Sequence, residues 1–397
     1  MKKVLFLGGA PTQIAPIKYA VEQGHYVITL DYLPDNPGHK LAHKYYNVST
    51  TDKEAVLEVA QAESIDGIVA YASDPAAPTA AYVAEKMGLP GNPYESVEIL
   101  ARKDLFRDFL AKHNFNVPRS KAFYEEAEAK VWLDEIGVPA FVKPVDSSGS
   151  KGVTHLQNAE NFHDAFEHAL KFSREKKVVV EEKIVRKGYQ VDSDIFMLNG
   201  EIAFWAWGNQ HQDLECHPYA PVAISFPSVL PLELQEKAKD VISSILTKLE
   251  FTVGAFNVEF VIDEHDDVWV IEIGPRNGGN LIPQVLRYAT GIDMIGATVD
   301  AAIGGPCDSV HQNGVDGFWS SYIIHARNSG KFQELWQSER LKNCIVEWDF
   351  QTKLGEEVFK FNGSHDTLGT MILKYPSQDE MLDMIDNMER DIRVIVD

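Results

Sequence analysis

Apolar residues along this chain come in short runs cut by glycine and proline, and the spacing inside the runs changes from one third of the chain to the next. Residues 4–7 are wholly apolar and run into Gly8 and Gly9, as a buried strand entering a turn would. Ile14, Ile17 and Val21 follow at helical spacing and the pattern stops at Gly24. Residues 26–30 predict a second strand ending at Asp31, which completes a βαβ unit of the doubly wound kind. Residues 68–70 predict a third strand leading to Ser73, Asp74 and Pro75. A helix over 77–87 then stops at Gly88, and the proline- and glycine-rich stretch 89–93 breaks the chain. Residues 1–95 therefore predict a small open α/β domain. Its glycine turn has the place of an anion-binding helix N-terminus, but the GxGxxG spacing is absent, which argues against a dinucleotide.

The middle of the chain alternates both periods. Helices are predicted over 96–101 and 104–113, with Lys103 at their junction, and a strand over 140–142 delivers Lys143 and Pro144. The loop beyond is small and polar, with Ser147, Ser148, Gly149, Ser150, Lys151 and Gly152 in sequence. Such loops can present backbone N–H groups to an anion, although the Walker A spacing is not met and a flexible turn is the plain alternative. A helix over 159–172 precedes the run Val178, Val179, Val180, Glu181, Glu182, Lys183, Ile184, an apolar strand ending in acids. Residues 191–198 and 201–207 predict a meander about the Asn199-Gly200 turn. Residues 209–221 are polar and read as a mobile loop on the substrate side, and 231–249 as an amphipathic helix. Helices over 282–289 and 294–302 follow. The last module, from Gly304 on, predicts short strands and a closing acidic helix near 378–390.

The most informative stretch is the predicted hairpin of 255–262 and 268–273 about the polar turn 263–267. If the turn centres between His265 and Asp266, Glu259 and Glu272 lie directly opposite on one face. Like charges so placed are destabilising, and a hard cation between them removes the repulsion. Mg²⁺ suits one or two carboxylates plus substrate phosphates. Glutamates merely facing water are the plain alternative. Arg276 follows on the exit loop, within reach of an oxyanion held by that metal.

Composition narrows the field. At 397 residues the chain exceeds the size at which one core stops growing, so two or three domains are expected. A formal net charge of −22 argues against nucleic-acid or anionic-membrane partners. The apolar run at the N-terminus is too short for a signal peptide, and no run approaches a membrane span. Three scattered cysteines without CxxC spacing fit a reduced, cytoplasmic compartment rather than a disulfide framework or a zinc site.

The order of these pieces is more specific than any one of them: lysine, strand-borne lysine, glycine-serine loop, VVVEEKI, NVEF, EIGPR. It resembles the ATP-grasp superfamily across essentially the whole chain, and within it the carboxylate–amine ligases and the group like the carbamoyl-phosphate-synthase large subunit. The resemblance implies an α/β fold, α+β in part. Its parts are an open parallel domain over 1–95, an ATP-grasp domain over 96–305 with a lid at about 119–185, and a small module over 306–397.

By resemblance, Lys103 and Lys143 contact the phosphates of ATP, and the loop with Ser147, Ser148, Gly149, Ser150 and Gly152 covers them. Glu181 serves the adenine side. The Glu182 carbonyl and the Ile184 amide read the adenine edge, with Lys183 between them. Glu259 and Glu272 ligate Mg²⁺ (or Mn²⁺), and Arg276 steadies an acyl phosphate.

Two positions depart from the family. Gln190 stands where a ribose-binding Glu is usual, and Gly274 stands where the E-x-N-P-R pattern has Asn, so Asn277 is the expected substitute metal ligand, with water or a phosphate oxygen as the alternatives. The activity implied is ligation of a small-molecule carboxylate to an amine with release of ADP and phosphate. A bicarbonate-using carboxylase and a non-catalytic ATP-binding module are the alternatives. A homodimer is common in such ligases.

Overall fold

The structure is a computed structural model describing residues 1–397. The first domain is a four-stranded parallel sheet in the order Lys44–Tyr46, Tyr26–Leu30, Lys3–Leu7, Gly67–Val69. Helices cover it because alternate strand residues are apolar on both faces: Leu5, Ile28 and Ile68 join one core, Val4, Phe6 and Val27 the other. The glycine turn after Lys3–Leu7 is filled from within. Gln13 Nε2 donates to the carbonyls of Leu7 and Tyr71 at 3.0 and 3.1 Å, and its Oε1 accepts from the Ala10 amide at 2.9 Å. Gly8 has φ +114°, and a Cβ there would meet Gln13 Oε1 at 2.2 Å, so this turn is closed by its own side chain.

The second sheet, where the lid is expected, is antiparallel in the order Ser120–Phe123, Val178–Glu182, Ala140–Pro144, Thr154–Leu156. Helices Glu126–Ile136 and Phe162–Phe172 pack on it around a core of its own that includes Trp132, Phe166 and Val180.

A nine-stranded sheet carries the rest. Its order is Val268–Gly274, Gly254–Ile262, Gln190–Leu198, Gly208–Gln212, Pro221–Phe226, Phe318–Ile324, Gly369–Tyr375, Ile345–Phe350, with Glu201–Trp205 paired to Gln190–Leu198 off this path. Period-two alternation sorts Gln190–Leu198 cleanly. Val191, Ile195 and Met197 pack against helix Leu232–Lys248, whereas Phe196 packs against helices Ile282–Thr290 and Met294–Ala302. Asp192 and Asp194 share the face of Phe196. Strands Phe318–Ile324, Ile345–Phe350 and Gly369–Tyr375 extend this same sheet, so residues 306–397 share its backbone and add a three-stranded sheet of their own.

The polar stretch expected as a loop at 209–221 is a loop over 213–220 and is corrected at its start. Gly208–Gln212 is an interior strand with Asn209, Gln210 and His211 at most 4% exposed. Polar residues are tolerated there because each is bonded. Asn209 donates to Ser225 Oγ at 2.9 Å, and His211 lies 2.9 Å from Ser225 Oγ and 2.8 Å from Asp386.

The first domain is fixed to the large sheet by helix Met294–Ala302. Ile295 and Val299 join the core of Val4, Phe6 and Ile17, and Tyr19 Oη donates to Asp300 at 2.8 Å. A Cβ on Gly67 would meet the Ala302 carbonyl oxygen at 2.3 Å, so glycine permits this close approach. The docking delivers the loop with Asp74 to the end of the hairpin.

Candidate active site

The hairpin forms as Gly254–Ile262 and Val268–Gly274, and Glu259 pairs with Glu272. The register is reached through a bulge. Near the turn Phe260 faces Val270, and Ile271 is the extra residue that brings Glu272 opposite Glu259. The Ile271 carbonyl accepts from Arg107 Nη1 at 2.9 Å.

Glu259 also faces Asp192 across the other ladder, so three carboxylates line up on three adjacent strands. One step further on, Asp194 faces Asn257, which faces Gly274. Asn257 Nδ2 ties the rows together, donating to Asp192 Oδ1 at 2.8 Å and to Asp194 Oδ1 at 3.1 Å. The Gly278 amide donates to Asp194 at 2.8 Å. Gln190 Nε2 donates to Glu259 Oε2 at 2.6 Å, so the residue that departs from the family's ribose Glu is engaged with a carboxylate of this array.

Burial, with the mutual repulsion of Asp192, Glu259 and Glu272, holds the Glu259 carboxyl well above its ordinary range. Burial likewise pushes Asp192 up to about 6 and Asp194 up to about 7. A donor set made only of oxygens, rich in carboxylates that repel one another, fits a hard divalent cation.

Asn277 does not fit the ligand role expected of it. It is 0% exposed, and its Oδ1 accepts from Thr298 Oγ1 at 2.9 Å, which directs the amide into the core.

The cations stand opposite. Lys103 Nζ lies 3.2 Å from Glu272 Oε2 and donates to the Ser147 carbonyl at 2.8 Å, linking the array to the glycine-serine loop. Lys143 is 6% exposed and pairs with Glu181, which Arg107 Nε also holds at 3.0 Å. Burial alone would raise Glu181, but Arg107 and Lys143 hold its carboxyl down at about 2. Glu181 is thus the anchor of two cations rather than a free acid.

The Glu182 carboxylate accepts from Arg119 Nε at 2.8 Å, and the Lys183 amide donates to the Pro139 carbonyl at 3.2 Å. Among the described residues the Ile184 amide donates to no protein group. In the loop, Gly149, Ser150 and Gly152 adopt φ of +63°, +58° and +76°. Ser147 Oγ donates to the Lys151 carbonyl at 3.1 Å, the Ser148 carbonyl accepts from the Lys151 amide at 3.5 Å, and Ser150 Oγ donates to the Tyr219 carbonyl at 3.1 Å.

Arg276 is held from the first domain: its Nε and Nη2 donate to Asp74 Oδ1 and Oδ2 at 2.7 and 2.6 Å. A cavity of about 580 Å³ opens between the first domain and the lid, with Asp74, Thr79, Tyr94, Lys103, Ser147 and Glu272 on its wall. His325 and Arg327 sit on Asp213 at 3.1 and 2.7 Å. Asp213, Cys216 and His325 place ligand atoms within 4.8 Å of one another, but Asp213 already accepts from Arg327 and lies on His325, and burial pushes the Cys216 thiol up to about 11.

The sequence reading missed Asp192, Asp194, Arg107 and Asp74. The two aspartates had a signal in VDSDIFML, where acids at alternate positions of an otherwise apolar strand mark a polar patch on a buried face.

Residues 108–280 match the ATP-grasp domain family, so the chain carries an ATP-grasp domain, as the motifs predicted. It is 28% identical over 275 residues to an uncharacterized protein of Sinorhizobium fredii, an alignment covering 66% of this chain and 54% of that one. The chain thus spans about half the length of that relative. It is 24% identical over 290 residues to N5-carboxyaminoimidazole ribonucleotide synthase of Staphylococcus haemolyticus, covering 71% and 73% of the two chains. The fold is shared with the L-amino acid ligase of Bacillus licheniformis at a TM-score of 0.84 and 19% identity, over 100% of this chain and 99% of the other.

Proposed function

We propose that this chain is an ATP-dependent ligase that activates a small carboxylic acid as an acyl phosphate and joins it to an amine. The observation that carries the reading is the meeting of Lys103, Glu272 and Ser147 on one cavity wall, beside Arg276 and the carboxylate row. Related proteins named as synthases and ligases support it.

In the first step a carboxylate oxygen of the substrate attacks the γ-phosphorus, and the bond from that phosphorus to the bridging oxygen of ADP breaks. In the second the amine nitrogen attacks the acyl carbon, phosphate leaves, and the nitrogen loses a proton. Little covalent chemistry falls to the protein; its task is positioning and charge neutralisation. Lys103 and Lys143 bind phosphate oxygens, and Arg276 faces the oxyanion. The loop 147–152 closes over the phosphates and keeps water from the acyl phosphate. The Ile184 amide, with the Glu182 carbonyl, receives the adenine edge. Glu259 and Glu272, with Asp192 beside them, are the residues that would hold Mg²⁺. Such a cation, when bound, draws charge from the β- and γ-phosphates.

The test is ADP release from MgATP against amino acids, dipeptides, small carboxylic acids and bicarbonate, each with and without an amine. Release needing both acid and amine is expected. Release with bicarbonate alone would replace the reading by a carboxylase, and ATP binding without turnover across the panel would replace it by a binding module.

A further inference from the structure

Arg276 and Asp74 lie 202 positions apart and in different domains, yet form a two-pronged ion pair at 2.7 and 2.6 Å. Their side chains are 11% and 17% exposed, so water competes weakly for either partner. The geometry points to a role for Asp74 that rests on the ligase reading: it is a positioning residue that sets the orientation of Arg276, and Gly274 is the space that lets it do so.

The donor inventory of the guanidinium supports this. Arginine has five N–H donors in a rigid plane. Asp74 takes one on Nε and one on Nη2, and the Asn277 carbonyl takes one on Nη1 at 3.1 Å. One N–H remains on each terminal nitrogen. A carboxylate gripping Nε and Nη2 fixes the plane and leaves the far end of the fork for a second oxyanion. Without Asp74 the side chain would be free to turn toward Glu272 and Asp194, whose charges it already feels, and the fork would face the carboxylate row.

Gly274 completes the argument. A Cβ built there would lie 2.8 Å from Asp74 Oδ1, 3.0 Å from Arg276 Cζ and 3.1 Å from Arg276 Nε. A side chain at 274 would therefore displace Asp74, Arg276 or both. The departure from Asn in the E-x-N-P-R pattern is, on this account, the counterpart of an aspartate in the first domain.

The experiment is a double-mutant cycle with Asp74→Asn, Gly274→Ala and both together. Three experiments are read: kcat and KM for ATP in acid-dependent ADP release, thermal unfolding without ligands, and the rate of phenylglyoxal labelling at Arg276 by peptide mass. Each single change is expected to lower kcat by about a hundredfold with KM for ATP little changed, and to speed labelling of Arg276. Because both break one pair, the double variant should be no worse than the poorer single variant in any readout. Losses that multiply, or an Asp74→Asn enzyme with full kcat, would overturn the inference. If the wild-type protein itself releases no ADP with any acid, the ligase reading fails on its own. The pairing is then decided by the melting and labelling cycles, where additive effects would overturn it.

Discussion

Two clusters of buried charge meet where Arg107 bonds both Glu181 and the Ile271 carbonyl, and they are unbalanced in opposite senses. On the large sheet Asp192, Asp194, Glu259 and Glu272 crowd together, and burial and mutual repulsion push three of these carboxyls upward. On the sheet of residues 120–182 the single carboxylate of Glu181 holds Lys143, with Arg107 reaching it from helix Lys103–Lys112, and its carboxyl is held at about 2. One wall carries surplus negative charge and the other surplus positive charge. A ligand that joins a divalent cation to a chain of phosphates satisfies both, and neither half alone does. The difference teaches that a strained cluster and a settled cluster can serve one ligand, and that they should respond oppositely to mutation.

The largest effect should come from breaking either wall. Glu272→Gln and Lys143→Ala are each expected to lower ADP formation by about a hundredfold to a thousandfold. Full activity in both would sink the assignment.

Stability should separate them. Lys143→Ala removes one of two cations on a buried carboxylate and is expected to cost about 3–5 kcal/mol in denaturant unfolding. Glu259→Gln removes one of several repelling carboxylates and should raise the melting temperature of the metal-free protein. A fall comparable to that of Lys143→Ala would show that the array is balanced after all.

The pH dependence carries opposite signs in the two clusters. Asp192 and Asp194 have folded values of about 6 and about 7, above the ordinary 3.8, so the folded state binds more protons between these limits. Their contribution is present at acid pH and lost as pH rises toward 7. For Glu181 the folded value lies below the ordinary 4.5, so its contribution is present above that pH and lost as pH falls toward 2. Unfolding measured from pH 3 to 8 without metal should therefore show a decline between about pH 4 and pH 7, which Mg²⁺ abolishes. A metal-independent profile would contradict the comparison.

The smallest expected effect is at Gln190. Gln190→Glu places a further carboxylate against Glu259, where the amide now donates at 2.6 Å. The variant should be less stable without metal and recover with it, read as a larger Mg²⁺-dependent rise in melting temperature.

Much of this was legible in the sequence where the signal is local. The pairing of Glu259 with Glu272 follows from the hairpin pattern, although the register depends on a bulge at Ile271 that the pattern does not show. The strand-borne Lys143 and the loop after it are likewise local. The interior strand Gly208–Gln212 was misread because its side chains are polar, and only partners from distant elements, such as Ser225 and Asp386, make their burial tolerable. Asp74 was hidden for the same reason: its partner lies in another domain, and no spacing rule links position 74 to position 276. Gly274 looked like a lost ligand until the space it leaves was seen to be filled by Asp74.

The most direct test of the opposed-charge account is calorimetry of MgATP binding near pH 6.5 in two buffers of different ionisation enthalpy, which counts the protons exchanged. The account predicts net proton release, because a cation beside Asp192 and Asp194 drives off protons that burial makes them hold, and a smaller release in Asp194→Asn. Binding with no proton release, or with release unchanged in that variant, would contradict it.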